Sequence, residues 1–172
     1  LHKRLKTTII YVTHNPIATM TMPDKIVAMK GGVVGQFGRP LDVYDRPANL
    51  FVAGFIGSPA MNQIKGRIEN GLFVADNGPS FDLSADYAKF NGCRVVYGIR
   101  PEDIVFSDQG APAQVVVIEP TGSETQIIVR TGTTDISVVC RERIAVRPGD
   151  TLHLRPLADK VHLFDEETER RL

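Results

Sequence analysis

From residue 58 onward the chain is a succession of strand-length apolar or alternating segments, each closed by turn-forming residues, and this punctuation constrains the fold more than any other feature. Segments 64–69, 72–75, 94–100, 113–119, 124–131, 136–141, 151–155 and 160–164 are rich in Val, Ile, Leu, Phe and Thr, residue types that suit a pleated, half-buried surface. Between them stand Asn70-Gly71, Asn77-Gly78-Pro79, Asn91-Gly92, Thr121-Gly122 and Pro148-Gly149-Asp150, which accept the backbone angles that tight turns require. Many short strands at even spacing predict a small barrel or sandwich over residues 58–172.

The first 57 residues have a different character. Residues 7–15, TTIIYVTHN, begin as a continuous apolar run, and Ile9, Ile10, Tyr11 and Val12 predict a strand buried on both faces of a parallel sheet. His14 then falls at the carboxyl end of that strand. Asn15 is a good helix N-cap and Pro16 a good first helical residue, so a helix is expected to begin at once with its positive end beside His14. The plainer reading of His14 is a polar residue closing a buried strand. Residues 1–5 read as a helix. Gly31 and Gly32 read as hairpin turn residues between strands at 26–29 and 33–37 rather than as a phosphate-binding loop, since no Lys-Ser/Thr follows them. Short helices are expected at 40–44 and 49–55, the second stopped by Gly57 and Pro59.

Composition excludes several classes of function. Lys+Arg number 20 and Asp+Glu 20, so no basic footprint points to nucleic acid. No apolar stretch approaches the ~18 residues of a membrane span, and the chain does not open on a signal-peptide pattern. His2, His14, His153 and His162 are scattered, with no Cys or carboxylate at metal-ligand spacing. Cys93 and Cys140 lie in strand-like segments and are expected as free, buried thiols.

The residues LHKRLKTTIIYVTHN, followed by MPDKIVAMKGGVVGQFGRPLDVYDRPANLFVAGFIGSPAMN, closely resemble the last part of the nucleotide-binding domain of ATP-binding-cassette (ABC) import subunits of the maltose, multiple-sugar and glycerol-3-phosphate class. Met61-Asn62-Gln63-Ile64-Lys65-Gly66-Arg67-Ile68 and Tyr97-Gly98-Ile99-Arg100-Pro101-Glu102-Asp103-Ile104 resemble the opening strand and the Gly-Ile-Arg-Pro-Glu element of the C-terminal regulatory (TOBE-type) region of those subunits. The resemblance implies a mixed fold, a short α/β remnant of a cassette ATPase domain over 1–57 followed by an all-β tandem oligonucleotide-binding (OB)-like barrel domain over 58–172. It implies that His14 is the switch histidine, contacting the γ-phosphate of ATP in the complete protein. It also implies ATP and Mg2+ as cofactors of that parent, with none expected for the fragment, and a cytoplasmic, peripheral location at the inner face of the membrane. The implied partners are the transporter membrane subunits, a second ATP-binding subunit in a dimer and a possible regulatory protein, with no nucleic acid.

The chain lacks the Gly-Lys-Ser/Thr loop, the magnesium and catalytic carboxylates and the signature loop of such ATPases, so it reads as a C-terminal fragment that is inactive alone. It also departs from the family after the switch histidine, where Asn15 stands for the usual Asp and no acidic residue follows at 16–19. This leaves the surroundings of His14 less negative. Within Arg100-Pro101-Glu102-Asp103, Pro is expected to end the strand and the acidic residues to cap a helical turn. A second reading, from a different class, is a free-standing tandem-barrel module that binds a small anion; residues 58–68 resemble the strand used by molybdate-binding barrels, with Asn62, Ile64, Gly66 and Ile68 at matching spacing.

Overall fold

A computed structural model of the chain describes residues 7–142 and 144–172; the expected helix at 1–5 lies outside them. The expected strand at 9–12 does not form. Residues 7–15 carry no regular structure, and Ile10 and Val12 are each 90% exposed. A parallel strand buried on both faces takes its hydrogen bonds and its cover from neighbours, and among the described residues none pairs with it. The helix that follows does form: α1 (Pro16–Thr21) is capped by Asn15, whose Oδ1 accepts from the N–H groups of Ile17 and Ala18 at 2.9 and 3.4 Å.

Strands β1 (Ile26–Lys30) and β2 (Val33–Gly38) make an antiparallel hairpin through Gly31 and Gly32. Their φ values of +57° and +78° are those of the two-residue turn that matches strand twist. Two short helices follow, α2 (Pro40–Asp45) and α3 (Leu50–Phe55), the latter capped by the Asn49 side chain. Ile26, Ala28, Val43, Val52 and Ile56 bury against one another to form a small core under the hairpin.

The remainder is built from two antiparallel sheets. β3 (Asn62–Glu69), β4 (Leu72–Ala75), β5 (Ser80–Asp82), β6 (Arg94–Ile99) and, from the end of the chain, β11 (His162–Asp165) form a sheet in the order β11-β6-β3-β4-β5. β7 (Ile104–Pro120), β8 (Thr125–Thr131), β9 (Thr134–Cys140) and β10 (Thr151–Pro156) form the second, in the order β10-β7-β8-β9. Short 3-10 turns at Ala85–Phe90, Pro101–Asp103 and Ala158–Lys160 complete the path. One core joins the sheets: Ile64, Ile68, Phe73 and Tyr97 of the first meet Val115, Ile127, Val129, Ile136 and Leu154 of the second. Phe73 and Tyr97 stack with ring centroids 4.7 Å apart. Asn62 staples the sheets, its Nδ2 donating to the Ser137 carbonyl at 2.8 Å while its Oδ1 accepts from the Ser137 N–H at 2.8 Å. The chain is mostly β, with its few α-helices near the N-terminus, as a short α/β remnant followed by a tandem OB-like domain requires.

Two details depart from the sequence reading. β7 is far longer than the expected 113–119, because its pairing with β10 resumes after a register break between His153 and Leu154 and carries the strand back to Ile104. Cys93 is exposed rather than buried, while Cys140 is partly buried and both thiols are free.

Candidate functional site

The end of β6 is where the two parts of the chain are tied together. Pro101 has no N–H to extend the ladder, so β6 stops at Ile99 and the 3-10 turn begins, leaving Arg100 extended at the sheet edge with φ −69° and ψ 145°. The expected strand exit is therefore observed, and it aims a long cationic side chain inward. Arg100 is only 2% exposed. Its Nη1 donates to the carbonyl of Ile56 at 2.6 Å and more weakly to that of Ala53 at 3.4 Å, and its Nη2 donates to the carbonyl of Tyr44 at 2.9 Å. These carbonyls lie toward the C-terminal ends of α2 and α3, where a helix has acceptors without intrahelical partners and where a cation is electrostatically favoured.

Tyr44 completes the arrangement. The Arg100 guanidinium carbon lies 3.8 Å from the centroid of the Tyr44 ring, and the Tyr44 hydroxyl donates to Glu102 Oε1. Burial, reinforced by the hydrogen bond to Glu102, pushes the Tyr44 phenol well above its usual range. Burial lowers the Arg100 pKa, an effect opposed by Tyr44 and Glu102. Burial, with Glu102 beside it, raises that of Asp103. Gly57, at φ +118°, passes so close that a Cβ there would stand 2.7 Å from Arg100 Nη1 and 3.0 Å from Tyr44 Cε2. Its conformation and its missing side chain are thus both required.

The C-terminal tail clasps the start of α3 from a second direction. The Leu50 N–H donates to the Glu169 carbonyl at 3.0 Å and the Arg171 N–H to the Ala48 carbonyl at 3.0 Å. Ala53, Met61, Val96 and Phe164 bury together beneath this clasp. Beside it lies a cleft of about 330 Å3 lined by Asp45, Arg46, Tyr87, Asp159, His162 and Arg171. His162 is held in its neutral form at pH 7, its pKa depressed to about 4 by burial first and then by Arg171, Arg100 and Arg46.

His14 is exposed just before α1, and neither a hydrogen bond nor an ion pair joins it to another described residue. It is not brought together with the Arg100 junction. Sequence reasoning identified Arg100-Pro101 as a strand exit and did not anticipate the anchoring role of Arg100. The available signal was an arginine directly continuing the apolar run Val95-Val96-Tyr97-Gly98-Ile99, a position whose charge must find partners if it is buried. Among the described residues, no group of three or more His, Cys, Asp or Glu is placed to hold a metal ion, and no helix is long and apolar enough to cross a membrane.

Comparison with known proteins fits this architecture. The MalK OB fold domain family matches residues 57–104 and the TOBE domain family residues 97–164, so Arg100 lies in the stretch that both cover. Over its whole length the chain is 48% identical to an uncharacterized ABC transporter ATP-binding protein of Sinorhizobium fredii, covering 47% of that protein. It is likewise 41% identical to the sn-glycerol-3-phosphate import ATP-binding protein UgpC of Shigella boydii, covering 50% of it. The chain therefore carries the MalK-type OB fold and TOBE domains and matches the C-terminal part of ABC transporter ATP-binding proteins. It spans about half the length of these relatives. The fold alone is shared with the cytoplasmic molybdate-binding protein ModG, at a TM-score of 0.51 and 16% identity over 59% of this chain and 94% of that one. That likeness is one of fold and brings no binding role to this chain.

Proposed function

We propose that the chain serves as the C-terminal part of the ATP-binding subunit of an ABC importer for a sugar or a glycerol-3-phosphate-type solute. Residues 1–57 close the nucleotide-binding domain and 58–172 form the regulatory domain. In the intact subunit His14 contacts the γ-phosphate of ATP, with Asn15 and Pro16 fixing the helix behind it, and ATP and Mg2+ bind to parts that this chain does not contain. The subunit works as a dimer or with a paired ATP-binding subunit, on membrane subunits at the inner face of the cell membrane, and its regulatory domain is open to a regulatory protein. The observation that carries this reading is the junction itself: the buried Arg100 of the barrel holds the carbonyl groups of Tyr44, Ala53 and Ile56. A change of state in either part would be felt in the other through that contact.

The test compares ATP hydrolysis by the purified 172-residue chain and by the intact subunit. The chain alone lacks the phosphate cradle and the carboxylates that position magnesium and water, so it should neither hydrolyse ATP nor bind it tightly, whereas the intact subunit should do both. Saturable hydrolysis by the chain alone, abolished by His14→Ala, would overturn the division of labour.

A further inference from the structure

Asparagine is followed by glycine at three places, Asn70-Gly71, Asn77-Gly78 and Asn91-Gly92, and all three pairs lie exposed between strands or at a turn. An asparagine before glycine is open to attack on its own side chain, because the glycine nitrogen has no neighbouring Cβ to hinder its approach. For the attack, the peptide unit between the two residues must rotate toward the side-chain amide, so what holds that unit decides which pair reacts. The Asn91–Gly92 unit is held. Its N–H donates to the Ile68 carbonyl at 2.7 Å, and the Asn91 side chain accepts from the Asn70 N–H at 2.8 Å. The Asn77–Gly78 unit is held too, its carbonyl accepting from the Thr133 N–H at 3.2 Å and the Thr134 hydroxyl at 3.0 Å. The Asn70–Gly71 unit has no such restraint: its carbonyl, its N–H and the Asn70 side-chain amide make no hydrogen bond to another described residue.

We propose that Asn70 is a site of spontaneous deamidation, and that the fold confines the reaction to the β3–β4 turn by leaving this one Asn-Gly peptide unit unrestrained. The Gly71 nitrogen loses its proton to hydroxide and bonds to the Asn70 side-chain carbonyl carbon. The bond from that carbon to the amide nitrogen breaks, and ammonia leaves with a proton from water. A second water then opens the resulting succinimide at either carbonyl, giving aspartate or isoaspartate at position 70. Isoaspartate carries an additional carbon in the main chain. The turn it enters has two residues and sets Glu69 opposite Leu72, so β3 and β4 lose the register that buries Ile68 and Phe73 in the common core. β3 also carries Asn62, which staples the sheets, and Gln63, whose Nε2 donates to the Leu50 carbonyl at 2.8 Å. The damage therefore lies on the strand that joins the barrel to α3. Asn15 is exposed as well, but Pro16 has no N–H with which to attack it, so the neutral residue after His14 is closed to this route.

The experiment ages the 172-residue chain in mildly alkaline buffer and follows each asparagine by peptide mapping with mass spectrometry, with isoaspartate detected by its specific methyltransferase. A parallel sample is aged unfolded in guanidinium chloride. Unfolded, all three Asn-Gly pairs should convert at similar rates. Folded, Asn70 should convert at close to its unfolded rate, while Asn77 and Asn91 should each be slowed by about fivefold or more, the factor for opening a hydrogen bond before attack. Asn15 should not convert. Asn70→Gly removes the reacting side chain and suits the positive φ of 51° at that position. It should keep its urea midpoint on ageing, whereas the wild-type midpoint should fall. Conversion of Asn77 or Asn91 as fast as Asn70 in the folded chain, or no conversion at Asn70 there, overturns the proposal. So does an aged wild type whose midpoint falls no further than that of aged Asn70→Gly. None of these readouts involves ATP, so their outcome is independent of the functional reading, which the comparison of hydrolysis decides.

Discussion

Replacing Arg100 by methionine tests the junction, because it keeps side-chain length and removes only the charge and its donors. Two facts set the magnitude. The contacts at 2.6 and 2.9 Å to the Ile56 and Tyr44 carbonyls are hydrogen bonds from a charged donor, a type worth about 1.5–3 kcal/mol each. The stacking on Tyr44 at 3.8 Å adds about 1 kcal/mol. Against these stands the cost of burying the guanidinium, several kcal/mol by the usual accounting. A hydrophobic replacement of a whole buried ion pair is often harmless because both partners go. Here the partners are backbone carbonyls that cannot be replaced, and Arg100→Met leaves them buried without donors. The expected loss is therefore about 2–5 kcal/mol of unfolding free energy, from about 1–3 kcal/mol for each of the two carbonyls left without a donor, less the relief of the guanidinium's own burial. Arg100→Lys, which restores one donor without the planar fork, should lose less. Equilibrium urea unfolding of the three proteins measures this, with limited proteolysis reporting whether 40–56 is released first. An Arg100→Met protein within about 1 kcal/mol of wild type, with 40–56 equally protected, would refute the reasoning.

His162 takes up its proton only near pH 4 when folded and near its ordinary 6.5 when unfolded, so the unfolded chain binds more protons between these values. Stability is lost as the pH falls from about 6.5 toward 4, by roughly 1–2 kcal/mol once partial exposure of the ring is discounted from the full linkage value. In His162→Gln that part of the acid dependence should disappear, as urea midpoints between pH 7 and 4.5 would reveal. Gly66→Ala should cost about 2–3 kcal/mol by overpacking, because a Cβ there would lie 2.3 Å from the Val74 carbonyl oxygen and 2.6 Å from Phe73 Cε2; thermal unfolding checks it, and a neutral substitution would mean that β3 and β4 can separate.

The parts of the fold that were legible in the sequence are those whose causes are local. Asn70-Gly71 sits at positive φ in the β3–β4 turn, and Asn15 and Asn49 cap the helices they precede. The alternation of β3, with Ile64, Gly66 and Ile68 facing inward, follows from the strand period of two. What sequence could not supply was set by partners distant in the chain. Residues 9–12 have the composition of a buried strand, but a strand is defined by its neighbours, and no described residue pairs with it. The early half of β7 runs through Ser107-Asp108-Gln109-Gly110, a polar stretch with no strand signature, and is recruited by β10. The burial of Arg100 was hidden because its acceptors lie 44 to 56 residues away.

The most direct test of the central claim is the rate of ATP hydrolysis by the intact subunit, assembled with its membrane subunits, with and without His14→Ala. If His14 stabilises charge developing at the γ-phosphate, its loss should lower hydrolysis by about 100-fold or more, the scale typical of a positioned catalytic group. ATP binding and the Arg100 junction should remain intact. A His14→Ala subunit that hydrolyses ATP at the wild-type rate would contradict the account.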